Sequence, residues 1–301
     1  SSSLLQLRLP LRLLADFRIY MHFDMLSINK TLIKTSFEQE LCEAAFDNLQ
    51  TKSKLRSNNF AYSIRELSRH ILHRLAPSDD VQRCSWYKPT KNEKGEIVIS
   101  RADRINYAIY GGFDNNALSA MGLNGYIDNA RKNLLASIDS LSKYTHINKD
   151  TFDVSDSETS ELVNNVIGSF NGFVDCMNDI RQQVVSRLDA EINHKILMAT
   201  IYETYVDIDV LSTHSSIENY CIDSIAVDDI TSNEVVLKVS GSANVRLQYG
   251  SDGDQRCGDG YITNIDVPYE ANVSADIKTS LKKFHLNGNI HFDFDTNPYY
   301  E

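Results

Sequence analysis

The residues best suited to chemistry lie in one predicted helix, FAYSIRELSRHILHRLAP, where Arg65 and His70 form an R-x4-H string. A histidine titrates near neutral pH, so it can take a proton from a ribose 2′-hydroxyl or give one to the leaving 5′-oxygen. The planar guanidinium of an arginine can hold the scissile phosphate and stabilise the charge that develops on it. The pair therefore predicts metal-independent RNA cleavage, with Arg65 and His70 as the catalytic residues.

Helical geometry limits how these two side chains can cooperate. At about 100° per residue, positions 65 and 70 lie about 140° apart, on opposite borders of the apolar stripe. Each side chain then points along a different groove beside the helix. We therefore expect a composite site that a second helix or a second subunit completes. The alternative interpretation is an ordinary amphipathic helix whose Arg/His-rich back is solvated.

The distribution of charge favours this helix as a nucleic-acid contact. The formal net charge is −11, from 41 acidic and 30 basic side chains, which excludes a wholly basic, indiscriminate nucleic-acid binder. The net charge is nevertheless +5 over residues 51–75 and −7 over residues 222–301. Because phosphate neutralisation needs a basic patch, we expect the first of these segments to contact RNA. The residues expected to do so are Arg69, His73, Arg74, Lys52, Lys54 and Arg56.

His146, in the string KYTHI, is a secondary catalytic candidate. It follows a predicted helix and precedes a loop, where it could act as a second acid–base partner. A histidine at a helix end also commonly caps the helix or interacts with its dipole, so both interpretations stay open.

The sequence predicts no metal site and no bound cofactor. His291, Asp293 and Asp295 alternate along one side of NIHFDFD and could ligate a metal ion. A strand with its polar face toward water explains the same pattern and is the favoured interpretation. The segment SDGDQRCGDG contains three aspartates but lacks the spacing of an EF-hand loop.

Cysteine usage and the N-terminus indicate the compartment. The five cysteines lie far apart without a CxxC pair, which predicts free thiols in a reducing cytoplasm. No stretch approaches the roughly 20 uninterrupted apolar residues of a spanning helix, so we expect no membrane association.

Residues 1–24 contain Pro10 and several charges and lack a cleavage signal. We expect them to be a non-native or disordered extension before a native start at Met25.

Apolar residues at helical spacing dominate the chain up to about residue 205. The first predicted helix opens with Ser36 and Gln39 as a capping box. The second begins after Asn58 or Asn59 and stops before Pro77. The longest starts in DVSDSETS and repeats apolar residues at spacings of three and four, which predicts a bundle spine or a dimer seam.

After about Tyr205 the apolar period changes to two, which is typical of strands. The predicted strands are EVVLKVSG, NVRLQYG, YITNIDVPY, ANVSADI and NIHFDFD. The fold class expected is therefore α+β. It comprises an extension (1–24), an all-α bundle with one very long helix (25–205), and a small antiparallel β-sandwich or sheet domain (206–301).

The wider sequence pattern comprises SIRELSRHILHRLAP, CSWYKP, SRADRINYAI, LSKYTHI and LQYGSDGDQRCGDGY. Together these segments resemble the predicted pPIWI-associating nucleases of bacterial conflict systems, and the likeness covers nearly everything from Met25 onward. The R-x4-H string in an all-helical domain also resembles the HEPN ribonucleases, which implies that Arg65 and His70 line a cleft between two bundles. The chain departs from the HEPN pattern by placing Glu66 directly after the arginine and by placing the motif early in the bundle.

Two hypotheses of different classes follow. The first is a cytoplasmic, homodimeric, metal-independent endoribonuclease-like effector of a bacterial anti-phage defence system, with a C-terminal β module for regulation or partner binding. The alternative is a non-catalytic module that binds nucleic acid or a partner protein of a defence complex. RNA is the expected substrate and other defence-system proteins are the expected partners.

Overall fold

The computed structural model describes residues 28–202, 205–277 and 286–296 of the chain. Helices form the N-terminal part and a four-stranded antiparallel sheet follows, which confirms the predicted α+β class. The predicted extension at residues 1–24 and the start expected at Met25 lie outside the described residues.

The described residues contain a 3-10 turn at Lys30–Leu32 and a series of α-helices. The helices are α1 (Ser36–Gln50), α2 (Arg56–Leu75), α3 (Ser78–Arg83), α4 (Arg101–Tyr110), α5 (Asn115–Met121), α6 (Asn124–Thr145), α7 (Asp156–Tyr202), α8 (Val206–Asp209) and α9 (Asp252–Cys257). The strands are β1 (Thr90–Lys91), β2 (Ile97–Val98), β3 (His214–Ile230), β4 (Glu234–Tyr249), β5 (Tyr261–Asp276) and β6 (Leu286–Phe294).

The described chain divides into two compact units, each built from separate stretches of sequence. The helical unit comprises residues 28–78, 99–109 and 125–177. The sheet unit comprises residues 79–98, 110–124 and the described residues from 178 onward. The long helix α7 contributes to both, because its apolar side chains supply both cores: Phe170 and Phe173 are buried in the first unit, and Leu188 and Ile192 in the second.

The capping box of α1 differs from the prediction by one residue. Thr35 is the N-cap: its hydroxyl accepts from Glu38 N at 3.1 Å, and the Glu38 carboxylate accepts from Thr35 N at 3.3 Å. The predicted Ser36/Gln39 pair is wrong because the extended backbone at Thr35 aims that hydroxyl at the first turn. Gln39 instead donates to Glu43 at 2.9 Å.

The start of α2 at Arg56 precedes the predicted start because two polar residues are buried inside its first turn. Ser57 shares a hydrogen bond of 2.8 Å with Thr159, and the Asn58 amide donates to Tyr144 O at 2.7 Å. These contacts are tertiary, so local sequence signals at the asparagine pair could not reveal them.

The predicted long helix is confirmed as α7, which has 47 residues. Its length far exceeds that of an average globular helix. Within the described part of the chain, no helix combines the length and the apolar character that crossing a bilayer requires.

The sheet has the order β3-β4-β5-β6, with all neighbours antiparallel. Two pairs of predicted strands are in fact continuous: EVVLKVSG and NVRLQYG form β4, and YITNIDVPY and ANVSADI form β5. Gly241 lies inside β4 rather than at a turn. It is needed because a Cβ there would come within 2.0 Å of Cys221 O and 2.7 Å of the Tyr269 hydroxyl.

Strand β3 was absent from the prediction because its pattern repeats every five residues instead of every two. Its pairing with β4 shifts register three times, and the extra residues are Glu218, Asp223 and Asp228. Each is an acid that follows an aliphatic residue, as IENYC, IDSIA and VDDI show. Because β3 is an edge strand, a bulged carboxylate in each repeat opposes pairing with another strand.

A backbone contact holds the β3–β4 turn within the sheet unit. Gly112 N donates to Thr231 O at 2.9 Å, and a Cβ on Gly112 would come within 2.1 Å of Ser232 O. The preceding residue, Gly111, has φ +54° and accepts at its carbonyl a 2.8 Å hydrogen bond from the indole of Trp86. Glycine is required at 112 by close approach and favoured at 111 by its backbone angle.

The five-residue repeat predicts that β3 tolerates deletion of one bulged residue. Removing Asp223 would join Ile222 directly to Ser224. Their partners on β4 are Gly241 and Ser240, which are already adjacent in the sequence. Side chains of β3 would then still alternate between the inner and outer faces of the sheet. We expect the free energy of unfolding to fall by about 1 kcal/mol, which lowers Tm by roughly 2–4 °C.

The matched control is deletion of Ala226, which is exposed, small and regularly paired with Lys238. That deletion turns Val227 outward and Asp228 inward, so it should cost far more stability. Thermal unfolding followed by circular dichroism compares the two proteins. Equal losses from the two deletions would contradict the register argument.

Candidate functional site

The predicted catalytic helix α2 is oriented by its apolar stripe. Phe60, Ile64 and Leu67 are fully buried and Ile71 is nearly so. This burial fixes the rotation of α2 about its axis, and it leaves Arg65 on one border of the stripe and His70 on the other.

Arg65 points toward the C-terminal end of α6. Its Nη1 lies 3.4 Å from the hydroxyl of Thr145, the last residue of that helix. The side chain is half-buried, and no described carboxylate lies within salt-bridge distance of it. Arg65 is therefore held by a neutral, weak partner and keeps its charge available.

His70 faces a different part of the helical unit. Its ring makes an edge contact with Phe37, with 4.9 Å between ring centroids, and its Nε2 lies 3.2 Å from Nη2 of Arg69. No hydrogen bond or ring contact joins it to Arg65 in the described chain. A single copy of the helix thus presents the two residues to separate surroundings, as the angle between positions 65 and 70 requires.

His146 directly follows Thr145 and is therefore the histidine nearest along the chain to the Arg65 contact. Its side chain is exposed, and its backbone carbonyl accepts a 2.9 Å hydrogen bond from the buried hydroxyl of Thr151. The structure thus places the secondary candidate beside the partner of Arg65.

Most of the basic side chains expected to contact RNA form ion pairs within the helical unit. The pairs are Lys54 with Asp153 at 3.1 Å, Arg56 with Asp156, Arg69 with Glu66 at 2.9 Å, and Arg74 with Glu38 at 2.8 Å. Lys52 is exposed and has no such pair with a described residue. The +5 net charge of residues 51–75 is therefore largely neutralised, partly by acids from distant parts of the sequence.

Arg74 is the most firmly held of these side chains. It donates to both carboxylate oxygens of Glu38, at 2.8 and 3.1 Å, and also to Leu32 O. Burial alone would raise the pKa of Glu38, but the hydrogen bonds from Arg74 and from two backbone N–H groups outweigh it and lower the pKa below 4.5. Arg74 therefore links α1 to α2 and has little capacity left for a phosphate.

His73 is exposed, but its electrostatic setting differs from that of an isolated surface histidine. The pKa of its imidazole is lowered, first by partial desolvation and then by nearby positive charges. These charges belong to Arg104, Arg69 and His70. The imidazole is consequently more often neutral near pH 7, so it adds little positive charge to the surface.

Sequence reasoning missed Asn58, Thr145 and Thr151, which hold the end of α6 next to Arg65. Thr145 lies in the string KYTHI, which was noted only for its histidine. Thr151 and Asn58 carried no local signal, because each acts on a residue from another turn or helix.

The described residues contain no group of three or more His, Cys, Asp and Glu side chains that could hold a metal ion. Asp293 is exposed and pairs in register with Glu270 in the sheet. The side chain of His291 lies outside the described residues.

Comparison with known proteins gives two family matches. A family model described as a predicted pPIWI-associating nuclease matches residues 30–170, and a second model with the same description matches residues 177–300. Together they cover most of the chain. No curated protein and no solved structure matches it.

The Arg74–Glu38 pair predicts a pH-dependent stability. Arg74→Ala should lower the free energy of unfolding at pH 7 by about 3 kcal/mol, because it leaves a buried carboxylate unpaired. Glu38→Gln should also be less stable than wild type at pH 7. Because the folded-state pKa of Glu38 is lowered, its contribution is complete above pH 4.5 and is lost as the pH falls below that value.

Urea unfolding of wild type and Glu38→Gln at pH 7 and below pH 4.5 measures this effect. The difference in stability between them should shrink progressively as the pH falls below 4.5, since the carboxyl then binds a proton first in the unfolded state and only at lower pH in the folded state. A difference in the free energy of unfolding that stays constant across this pH range would contradict the stabilising role assigned to the ionised carboxylate of Glu38.

Proposed function

The chain belongs to the predicted pPIWI-associating nuclease family, and we propose that it is an endoribonuclease that cleaves RNA without a metal ion. The proposed site lies where Arg65 of α2 meets the end of α6. The likeness of the R-x4-H string to that of the HEPN ribonucleases supports Arg65 and His70 as catalytic residues.

The observation that carries the proposal is the isolation of one arginine. Of the four arginines on α2, Arg56, Arg69 and Arg74 each pair with a carboxylate, whereas the hydrogen bond that the guanidinium of Arg65 makes within the described part of the chain goes to the neutral hydroxyl of Thr145. A phosphate would replace a neutral partner at 3.4 Å by charge-assisted, bidentate hydrogen bonds. Arg65 is thus suited to hold the scissile phosphate and to stabilise its developing charge.

Two histidines supply the proton transfers in this proposal. His146 lies beside Thr145 and acts in the same subunit as Arg65. His70 lies on the opposite border of the stripe, so it reaches a phosphate held by Arg65 only from a second copy of the chain. The active form is therefore a homodimer with composite sites.

The reaction is an internal transesterification of RNA. One histidine takes the proton of the ribose 2′-hydroxyl, and the 2′-oxygen attacks the adjacent phosphorus. The bond to the 5′-oxygen breaks as the other histidine gives that oxygen a proton. The products are a 2′,3′-cyclic phosphate and a 5′-hydroxyl end. Arg69, His73 and Lys52, all exposed, guide the strand.

The biological setting proposed is anti-phage defence, in association with a pPIWI protein. The family description supports this association. The net charge of −7 over residues 222–301 makes the sheet unit a poor RNA surface, so we assign it to protein partners. Non-catalytic binding of RNA is the outcome that would replace this proposal.

Substitution of the site residues tests the chemistry. Arg65→Ala should lower kcat by about 100–1,000-fold, because it removes the charge that stabilises the transition state. His146→Ala should lower kcat by about 100–10,000-fold, because it removes a proton-transfer group. The measurement is cleavage of labelled RNA in EDTA, with analysis of the product ends.

The matched control is Arg101→Ala, which removes an exposed arginine that pairs with Asp139 in the same unit and should leave the rate unchanged. RNA retained without fragments would show binding alone. Cleavage of DNA that EDTA abolishes would contradict the chemistry.

Mixing two inactive variants tests the composite site. Arg65→Ala and His70→Ala proteins should each be nearly inactive. A heterodimer of the two contains one site with both residues intact, so mixing under subunit exchange should restore part of the wild-type rate. A mixture as inactive as its components would show that the two residues do not combine across subunits.

A further inference from the structure

Asn58 lies on the same face of α2 as Arg65. They are seven positions apart in the sequence, which is close to two full helical turns. The Asn58 amide donates to Tyr144 O at 2.7 Å, and Arg65 contacts the hydroxyl of the next residue, Thr145. Helix α2 therefore touches two consecutive residues at the end of α6.

One half of the Asn58 side chain has no partner. The residue is 5% exposed, and its Oδ1 is buried without a hydrogen bond from any described group. The bond from Nδ2 to a carbonyl fixes which end of the amide is which. A buried acceptor without a donor costs free energy, and this cost offsets much of what the hydrogen bond to Tyr144 O contributes to stability. The asparagine is thus best explained by what its amide holds.

The amide holds the last turn of α6. Tyr144 O is one of the last four carbonyls of the helix, which have no partner within it. Two other carbonyls near this end are satisfied locally: Ser142 O accepts from the Thr145 hydroxyl at 2.9 Å, and His146 O accepts from Thr151 at 2.9 Å. Of the three side chains that donate to these carbonyls, Asn58 is the one that belongs to α2, so its hydrogen bond connects the end of α6 to that helix.

We propose that Asn58 is a positioning residue that keeps Thr145 and His146 beside the guanidinium of Arg65. This inference rests on the proposed function, in which Arg65 and His146 act on one phosphate. Small displacements of a catalytic group lower rates strongly, so a hydrogen bond that fixes the helix end contributes to the rate without touching the RNA.

The test is Asn58→Leu in the full chain, with three measurements. We expect a Tm close to that of wild type, because removal of the unpaired Oδ1 offsets the loss of the hydrogen bond to Tyr144 O. Hydrogen exchange of peptides covering residues 142–152 should become faster. The kcat for RNA should fall about 10–100-fold while KM stays within about twofold.

The matched control is Asn106→Leu. Asn106 is also buried in the helical unit, but its carbonyl oxygen accepts from Arg131 of α6 at 3.4 Å, far along that helix from Thr145. It should leave exchange over residues 142–152 unchanged. Asn58→Ala provides a second variant if leucine prevents folding.

The inference is overturned if exchange over residues 142–152 matches wild type, or if the loss of activity follows a loss of Tm. Unfolding of both Asn58 variants would show a purely structural residue and would overturn it too. Failure of the wild-type chain to cleave RNA would instead reject the proposed function. The exchange measurement would then still decide whether Asn58 holds the end of α6.

Discussion

The burial of four apolar side chains on α2 is the constraint on which the candidate site depends. Phe60, Ile64, Leu67 and Ile71 are almost completely inaccessible to solvent, so α2 cannot rotate without exposing them. That fixed rotation sends Arg65 toward α6 and His70 toward α1. The hydrophobic effect therefore decides which of the polar residues can meet, and hydrogen bonds only refine the arrangement.

Electrostatics in the helical unit follow from this packing. Four of the six basic side chains in residues 51–75 find a carboxylate, and three of those carboxylates lie outside that segment. The local charge of +5 thus overstates the positive field that RNA would meet. Arg65, the arginine of α2 that pairs with no described carboxylate, is also the arginine of the R-x4-H string, so the charge distribution and the motif indicate the same residue.

The sheet unit shows where pattern recognition fails. A period of two detects β4 and β5 but breaks each into two, since Gly241 and the Pro268–Glu270 segment resemble turns. The same rule misses β3, whose bulges at Glu218, Asp223 and Asp228 convert alternation into a repeat of five. Bulges and close backbone approaches depend on the neighbouring strand, and a single strand's sequence does not contain that information.

The sequence by itself determined the α+β class, the long helix α7, the likeness to a nuclease family and the R-x4-H string, because residue type and periodicity along one chain segment suffice for each. Only the tertiary structure decided that Arg74 is committed to Glu38 and that Arg65 stands beside Thr145. The physical reason is that these contacts join residues dozens of positions apart. Their geometry is set by how buried surfaces pack, which no local pattern encodes.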